Sequence, residues 1–288
     1  MTRSIRILLQ TSIPYNEDDW HVGRFAFLQD ELNKVADVLA RNREPDGRGD
    51  DSILSKISRS DFDEVWLLGV DGGTALSTSD CAAIDAFHRA GGGILTARDH
   101  QNMGMWLRRI GGVGAANYFH NPEFCEPDPS RLCPDDRETT TISWPNYHSG
   151  NNGDLQPIIA VEPVHPLLRK PPPSGEFIRF FPAHPHEGAV GVPKDEPRAR
   201  TIARGKSLAS GREFDLIVAF DRSAGAPGRA IAESSFHHFA DYNWDVSRGA
   251  PSFVTEKPGT AIRSQPRALD DIRAYVRNAA QWLAPASP

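Results

Sequence analysis

The chain is poor in cysteine. Three Cys among 288 residues, Cys81, Cys125 and Cys133, cannot build a disulfide framework, and a small odd number fits a reducing cytoplasm. No His-Glu-x-x-His segment and no Cys pair at zinc spacing is present, so no strong metal motif supports a cofactor. Basic charge is also in short supply. With 32 Lys+Arg against 38 Asp+Glu the net charge is −6, which leaves no basic footprint for nucleic acid. No run of 18 apolar residues occurs, so no membrane-spanning helix is expected. The opening "MTRSIRILLQTSIP" has a short apolar run without a small-residue cleavage site, and it reads as a first strand rather than a signal peptide. Internal repeats and low-complexity tracts are missing. What remains is a cytoplasmic protein with a small-molecule partner, as a monomer or a homodimer, and with no need of nucleic acid or membrane.

What is present is 39% hydrophobic and 24% charged residues, enough for a core of ordinary size. Pro (23), Gly (24) and His (10) are plentiful, which predicts long ordered loops that carry function. The pattern predicts a strand over 5–10, a helix over 22–41, a strand over 64–70, a helix over about 79–90 capped by Ser77 or Thr78, and a strand over 94–97. A helix near 101–110 follows. Strand and helix alternate over the first 110 residues, which argues for a parallel sheet covered on both faces. From 112 to 157 that pattern stops in a long segment rich in Pro, Asn, Asp and Gly. Its aromatic residues argue against disorder, and it reads as a loop insertion in a single domain spanning 1–288. Strands are then expected over 158–161, 176–181, 200–204, 214–220 and 229–236, and an amphipathic helix over 267–284.

The stretch "GGGILTARDHQNMG" (91–104) is a strand entering a sharp turn, a place where many α/β enzymes hold a Ser or Cys nucleophile. "TARDHQ" resembles the nucleophile elbow of class I glutamine amidotransferases, strand–Gly-x-Cys-x-Gly-His-Gln–helix. Aligned on His100-Gln101, the Cys slot holds Ala97. Aligned on the triple Gly, the stretch resembles the trehalose-utilisation (ThuA-like) branch of the same superfold, with Arg98 in the position where that branch commonly has His. "GRAIAESSFHHFADYNWD" resembles that branch's Gly-Arg-strand-Gly-His segment and puts His237 in the His position. "RNAAQWLA" resembles its closing Asn-x3-Trp helix. The resemblance implies an α/β flavodoxin-like three-layer sandwich with a mostly parallel sheet, acting on a sugar-like molecule. In neither register does the elbow offer a thiol or hydroxyl, so glutaminase chemistry is not expected.

The candidate catalytic residues are Asp99, His100, His184, Glu187 and His237. Asp99 and His100 sit where open α/β sheets bind ligands, and Asp99 could equally cap the helix expected after it. His184, His186 and Glu187, in "FFPAHPHEGAVG", offer either a His–Glu acid/base pair or, with His237, the ligands of a divalent metal. Adjacent His237 and His238 would face opposite ways, one into the site. Candidate substrate-binding residues are Asp71, Arg98, His148, Asn151 and Asp241, with Asn152, Asp154 and Asn243 nearby in type. Trp144 and Trp244 could stack on a ring but are more often anchors. His21, His88 and His165 read as structural, His88 on an exposed helix face. Two readings stay open: an enzyme that uses general acid/base chemistry, and a non-catalytic binding or scaffold protein.

Overall fold

The computed structural model describes residues 4–73, 75–119, 121–129, 152–182, 190–206, 211–223, 225 and 227–285. In chain order its strands are β1 Ile5–Thr11, β2 Ala36–Arg41, β3 Glu64–Leu68, β4 Gly93–Ala97, β5 Leu155–Pro157, β6 Ile159–Ala160, β7 Phe180–Pro182, β8 Ala199–Lys206, β9 Glu213–Phe220 and β10 Ala230–Glu233. The helices are α1 Ala26–Leu32, α2 Thr78–Arg89, α3 Asp241–Trp244, α4 Ala261–Ser264 and α5 Pro266–Leu283. Eight strands form one sheet in the order β2-β1-β3-β4-β10-β9-β8-β6, and β5 pairs with β7 apart from it. The first five are mutually parallel; β9, β8 and β6 extend the sheet by antiparallel pairing. The parallel part has the 2-1-3-4-5 order of flavodoxin-like folds.

Both faces of the sheet are covered. Leu28 and Leu32 of α1 and Ile272, Val276 and Ala280 of α5 pack with Leu95, Ala97 and Ile231 on one side. Ile84 and Phe87 of α2 pack with Leu8, Ile94 and Val218 on the other. Each fully buried aliphatic side chain contributes about 1.5–3 kcal/mol of transfer free energy, so β4, buried at all five residues, is firmly seated. α2 begins as expected: Ser77 Oγ accepts from Asp80 N and Asp80 Oδ2 accepts from Ser77 N, both at 3.0 Å. It ends before Gly91, whose φ of +91° suits glycine.

Two expectations are corrected. The helix over 22–41 is only a turn at Val22–Phe25 and α1; residues 36–41 are β2, paired with β1 at the sheet edge. Half-exposed edge strands bury few side chains, so Ala36, Val38 and Ala40 alternate over a distance too short to stand out from helical spacing. The helix near 101–110 is a 3-10 turn at Met105–Arg109 preceded by Gly104 with φ +78°. Gly104 lies against Gly69, where a Cβ would come within 2.8 Å of the Gly104 Cα. That close approach holds the turn after β4 down on the loop after β3, and a regular helix does not start there.

Candidate active site

The site is built where β4 and β10 end side by side. Glu233 pairs with Ala97 in the parallel register. Past the strands the two chains stay joined: Phe236 N donates to Arg98 O at 2.7 Å. Ser235 then does two things. Its Oγ accepts from His237 N at 3.0 Å, capping the turn Phe236–His238, and donates to Asp99 Oδ1 at 3.2 Å. One hydroxyl thereby sets His237 beside Asp99.

Asp99 is fully buried, and its Oδ2 meets two imidazoles: His100 Nδ1 at 2.6 Å and His237 Nε2 at 3.2 Å. Burial alone would raise its pKa. The His237 and His100 charges and hydrogen bonds outweigh that and hold the carboxyl well below its usual range. Asp99 caps no helix. The next residue after His100, Gln101, is in the left-handed region at φ +52°, an uncommon conformation for a side chain of that size.

Asp99, His100 and His237 line a cavity of about 370 Å³. Trp20, Met103, Phe253 and Val254 form its apolar bank, and Asn152, Thr255 and Glu256 add polar groups. Trp20 meets the His237 ring edge-on at 5.0 Å, and Phe236 stacks on it at 4.4 Å. Asn243 Nδ2 donates to His237 O and its Oδ1 accepts from Gly153 N, both at 3.0 Å, so Asn243 ties the His237 turn to the segment that carries Asn152.

His238 goes the other way, although the two histidines sit in a 3-10 turn and not in the extended chain for which the alternation rule holds. It is buried with its Nδ1 3.5 Å from Glu233 Oε2, and Phe181 lies 5.2 Å away. The Tyr275 phenol beside Glu233 is pushed well above its usual pKa by burial and by the carboxylate. Trp244 is a core residue whose Nε1 donates to His238 O at 2.8 Å.

Three expected ligand groups do not line this cavity. Arg98 is buried, its guanidinium 4.5 Å above the Phe119 ring, with Nη2 donating to Gln101 O at 2.7 Å. Asp71 Oδ1 accepts from Ser12 Oγ at 2.5 Å and Trp106 Nε1 at 2.9 Å, and its carbonyl accepts from Gly104 N at 2.7 Å, so it braces the elbow. Asp241 Oδ1 accepts from Phe27 N at 2.8 Å at the start of α1; burial raises its pKa. His88 is buried rather than exposed, with Nδ1 2.9 Å from Gly92 O. His21 and His165 accept from backbone N–H groups at the starts of 3-10 turns. His184, His186, Glu187, His148, Asn151 and Trp144 lie outside the described residues. Among the described residues no group of three or more His, Cys, Asp or Glu is arranged to hold a metal.

Trp20, Met103 and residues 253–256 are not among the residues that the sequence singles out. Met103 lies three residues past His100 and is the one that turn geometry could have suggested. The others come from loops with no motif of their own.

No known family profile matches the chain, and no curated protein matches it in sequence. Solved structures do. A ThuA-like protein from Parabacteroides merdae aligns over 99% of this chain and 93% of its own, at 15% identity and a TM-score of 0.50. The mmIFT52 N-terminal domain aligns over 94% and 97%, at 11% identity and a TM-score of 0.50. A cytoplasmic protein from Salmonella typhimurium aligns over 98% and 100%, at 10% identity and a TM-score of 0.49. The likeness to the ThuA-like protein is one of fold, the α/β flavodoxin-like fold that the sequence resemblance implies. No helix among the described residues is long and apolar enough to cross a membrane.

Proposed function

We propose that the chain is an enzyme that moves protons on a small polar molecule, such as a sugar derivative, through the His100–Asp99–His237 group. The carrying observation is the shared Oδ2: one buried carboxylate oriented between two imidazoles that line the same cavity. An imidazole exchanges protons near neutrality, and a carboxylate behind it fixes its tautomer and stabilises its cation. Asp99 is suited to that role because it stays ionised. With Nδ1 of His100 turned to the carboxylate, proton exchange with a ligand would run through Nε2 of His100, while the buried His237 holds Asp99 from its other side.

An imidazole backed by a carboxylate and a second imidazole suits a reaction that takes a proton at one atom and returns it at another. Isomerisation, proton abstraction beside a carbonyl, and hydrolysis with an activated water all fit. Cleavage of glutamine does not fit, because Ala97 supplies no nucleophile and is buried. Asp99 is fully buried, and the low dielectric around it strengthens its interactions with the two imidazoles.

The experiment is an NMR-monitored turnover screen with sugars and keto-sugars, repeated on His237→Gln and Asp99→Asn. The expected result is turnover in the wild type that both variants lose. Turnover that persists unchanged in both sinks the assignment. Binding with no turnover of any compound favours a binding protein on the same fold.

A further inference from the structure

The segment from Gly249 to Gly259 gives the cavity four successive residues, Phe253 to Glu256. It is pinned at both ends to separate parts of the chain. Ser252 N donates to Asp18 Oδ1 at 2.6 Å, its Oγ bonds Asp18 Oδ2, and Arg24 Nη1 reaches Gly249 O at 3.4 Å. At the far end Gly259 N donates to Asn152 O at 2.6 Å and Ile262 N to Gly153 O at 2.8 Å. A Cβ on Gly259 would fall 1.9 Å from Asp154 Oδ1, so a larger residue there would have to turn the Asp154 carboxylate aside. Between these anchors the wall residues are held in place without a helix or strand of their own.

Two of them bring chemistry that bears on what the cavity would take. Phe253 is 58% exposed, an aromatic ring at a cavity that also holds the paired imidazoles. Glu256 puts a carboxylate on the same wall, and its charge is felt by the neighbouring Tyr242, whose phenol is raised first by burial and then by Glu256. Among the described residues that line the cavity the acids are Asp99, whose carboxylate is bonded to the His100 and His237 imidazoles, and Glu256. Of the cations adjacent in sequence to these acids, Arg98 is stacked on Phe119, and Lys257 does not line the cavity.

We propose that Phe253 and Glu256 are specificity-determining residues of this cavity, selecting a hydroxylated ring that is uncharged or bears an amine over its carboxylate or phosphate counterpart. The proposal rests on the reading of the cavity as the substrate site. A ring of this kind has an apolar C–H face for Phe253 and Trp20, and O–H or N–H donors for the Glu256 carboxylate, which strengthens such bonds by its charge. An ammonium gains further from the aromatic faces. Asp99 is offset by its two imidazoles, so an anion is disfavoured chiefly by the Glu256 carboxylate, where one unit charge in a partly desolvated space changes affinity by about tenfold.

The test is equilibrium binding to the full chain at pH 7 and low salt, followed by protein-observed NMR. The probes are glucose, galactose and mannose, each as the neutral sugar, the 2-amino sugar and the 6-phosphate. At least one neutral or amino sugar should bind at least about tenfold more tightly than its 6-phosphate. Glu256→Gln should narrow that ratio about tenfold by weakening the amino sugar and admitting the phosphate. Phe253→Ala and Phe253→Leu should each weaken the neutral sugar about fivefold with the charge order kept. A phosphate that binds best, an unchanged order in Glu256→Gln, or no binding across the panel overturns the proposal. His237→Gln is the separate arm, because it removes turnover and leaves the charge order in place. If the order appears without any turnover, recognition stands and the catalytic reading falls. If turnover is lost in His237→Gln while the wild type prefers the phosphate, catalysis stands and the recognition proposal falls.

Discussion

Asp99 and Glu64 are both fully buried carboxyls at sheet positions, one past the C-terminal end of β4 and the other at the N-terminal start of β3. Their environments push them in opposite directions. Burial would raise both, but Asp99 has His237 and His100 within reach and stays well below the usual range. Glu64 has Trp66 Nε1 at 2.9 Å on Oε2, which burial outweighs, and its pKa lies well above the usual value. The first is a carboxylate whose charge its partners favour, at a cavity; the second is an acid in the core whose charge burial disfavours. The contrast shows that burial alone does not identify a site. The partners and the cavity beside the group do.

The largest separation between the two carboxyls is expected in catalysis. Asp99→Asn should cost about 10²–10⁴-fold in kcat/KM with a substrate from the screen, while Glu64→Gln should leave that ratio close to wild type. His237→Gln should cost about 10²-fold or more, against a few-fold at most for His238→Gln, the neighbour that faces Glu233 and Phe181. If the two histidine variants fall equally, the cavity is not what separates them. Ser235→Ala removes the hydroxyl that joins His237 N to Asp99 and should lower kcat/KM about tenfold, with about 1 kcal/mol lost in denaturant unfolding.

The smallest effects are in stability against pH, and they carry opposite signs. Asp99 has a depressed folded pKa. Its contribution is present above the unfolded value, about pH 4, and is lost as pH falls from there, at about 1.4 kcal/mol per unit across the window. Glu64 has a raised folded pKa. Its contribution is complete below about pH 4 and is lost as pH rises toward the folded value, with the same slope. Melting curves of Asp99→Asn should therefore fall less steeply than wild type below about pH 4, and those of Glu64→Gln should exceed wild type at pH 8 and approach it at pH 4.

What the sequence reveals and what it hides follow the same division between local and distant partners. β4 and α2 are legible because a continuous apolar run, a triple Gly and a Ser77/Asp80 capping box are local signals. The pairing of Asp99 with His237 is reachable through order along the chain, since residues that follow parallel neighbours β4 and β10 must meet. β2 hides as a helix because an edge strand of six residues buries too few side chains to display its alternation. Asp71, Arg98 and Asp241 are the right kinds of residue for binding, yet each is spent on nearby backbone or ring partners that no spacing rule foretells. Phe253 and Glu256 carry no sequence signal because their placement depends on anchors at Asp18 and Asn152, over a hundred positions away in the chain.

Ala97 has a consequence for anyone wishing to rearm the elbow. It is the last residue of β4, paired with Leu68 and buried among Leu95 and Trp66 under α1 and α5. A cysteine placed there would be an inert interior thiol, like Cys81, whose pKa burial lifts to about 11. The ligand side is served instead by residues past the strand end, where Asp99 and His100 line the cavity. A nucleophile placed at Ala97 would therefore leave the cavity as it is.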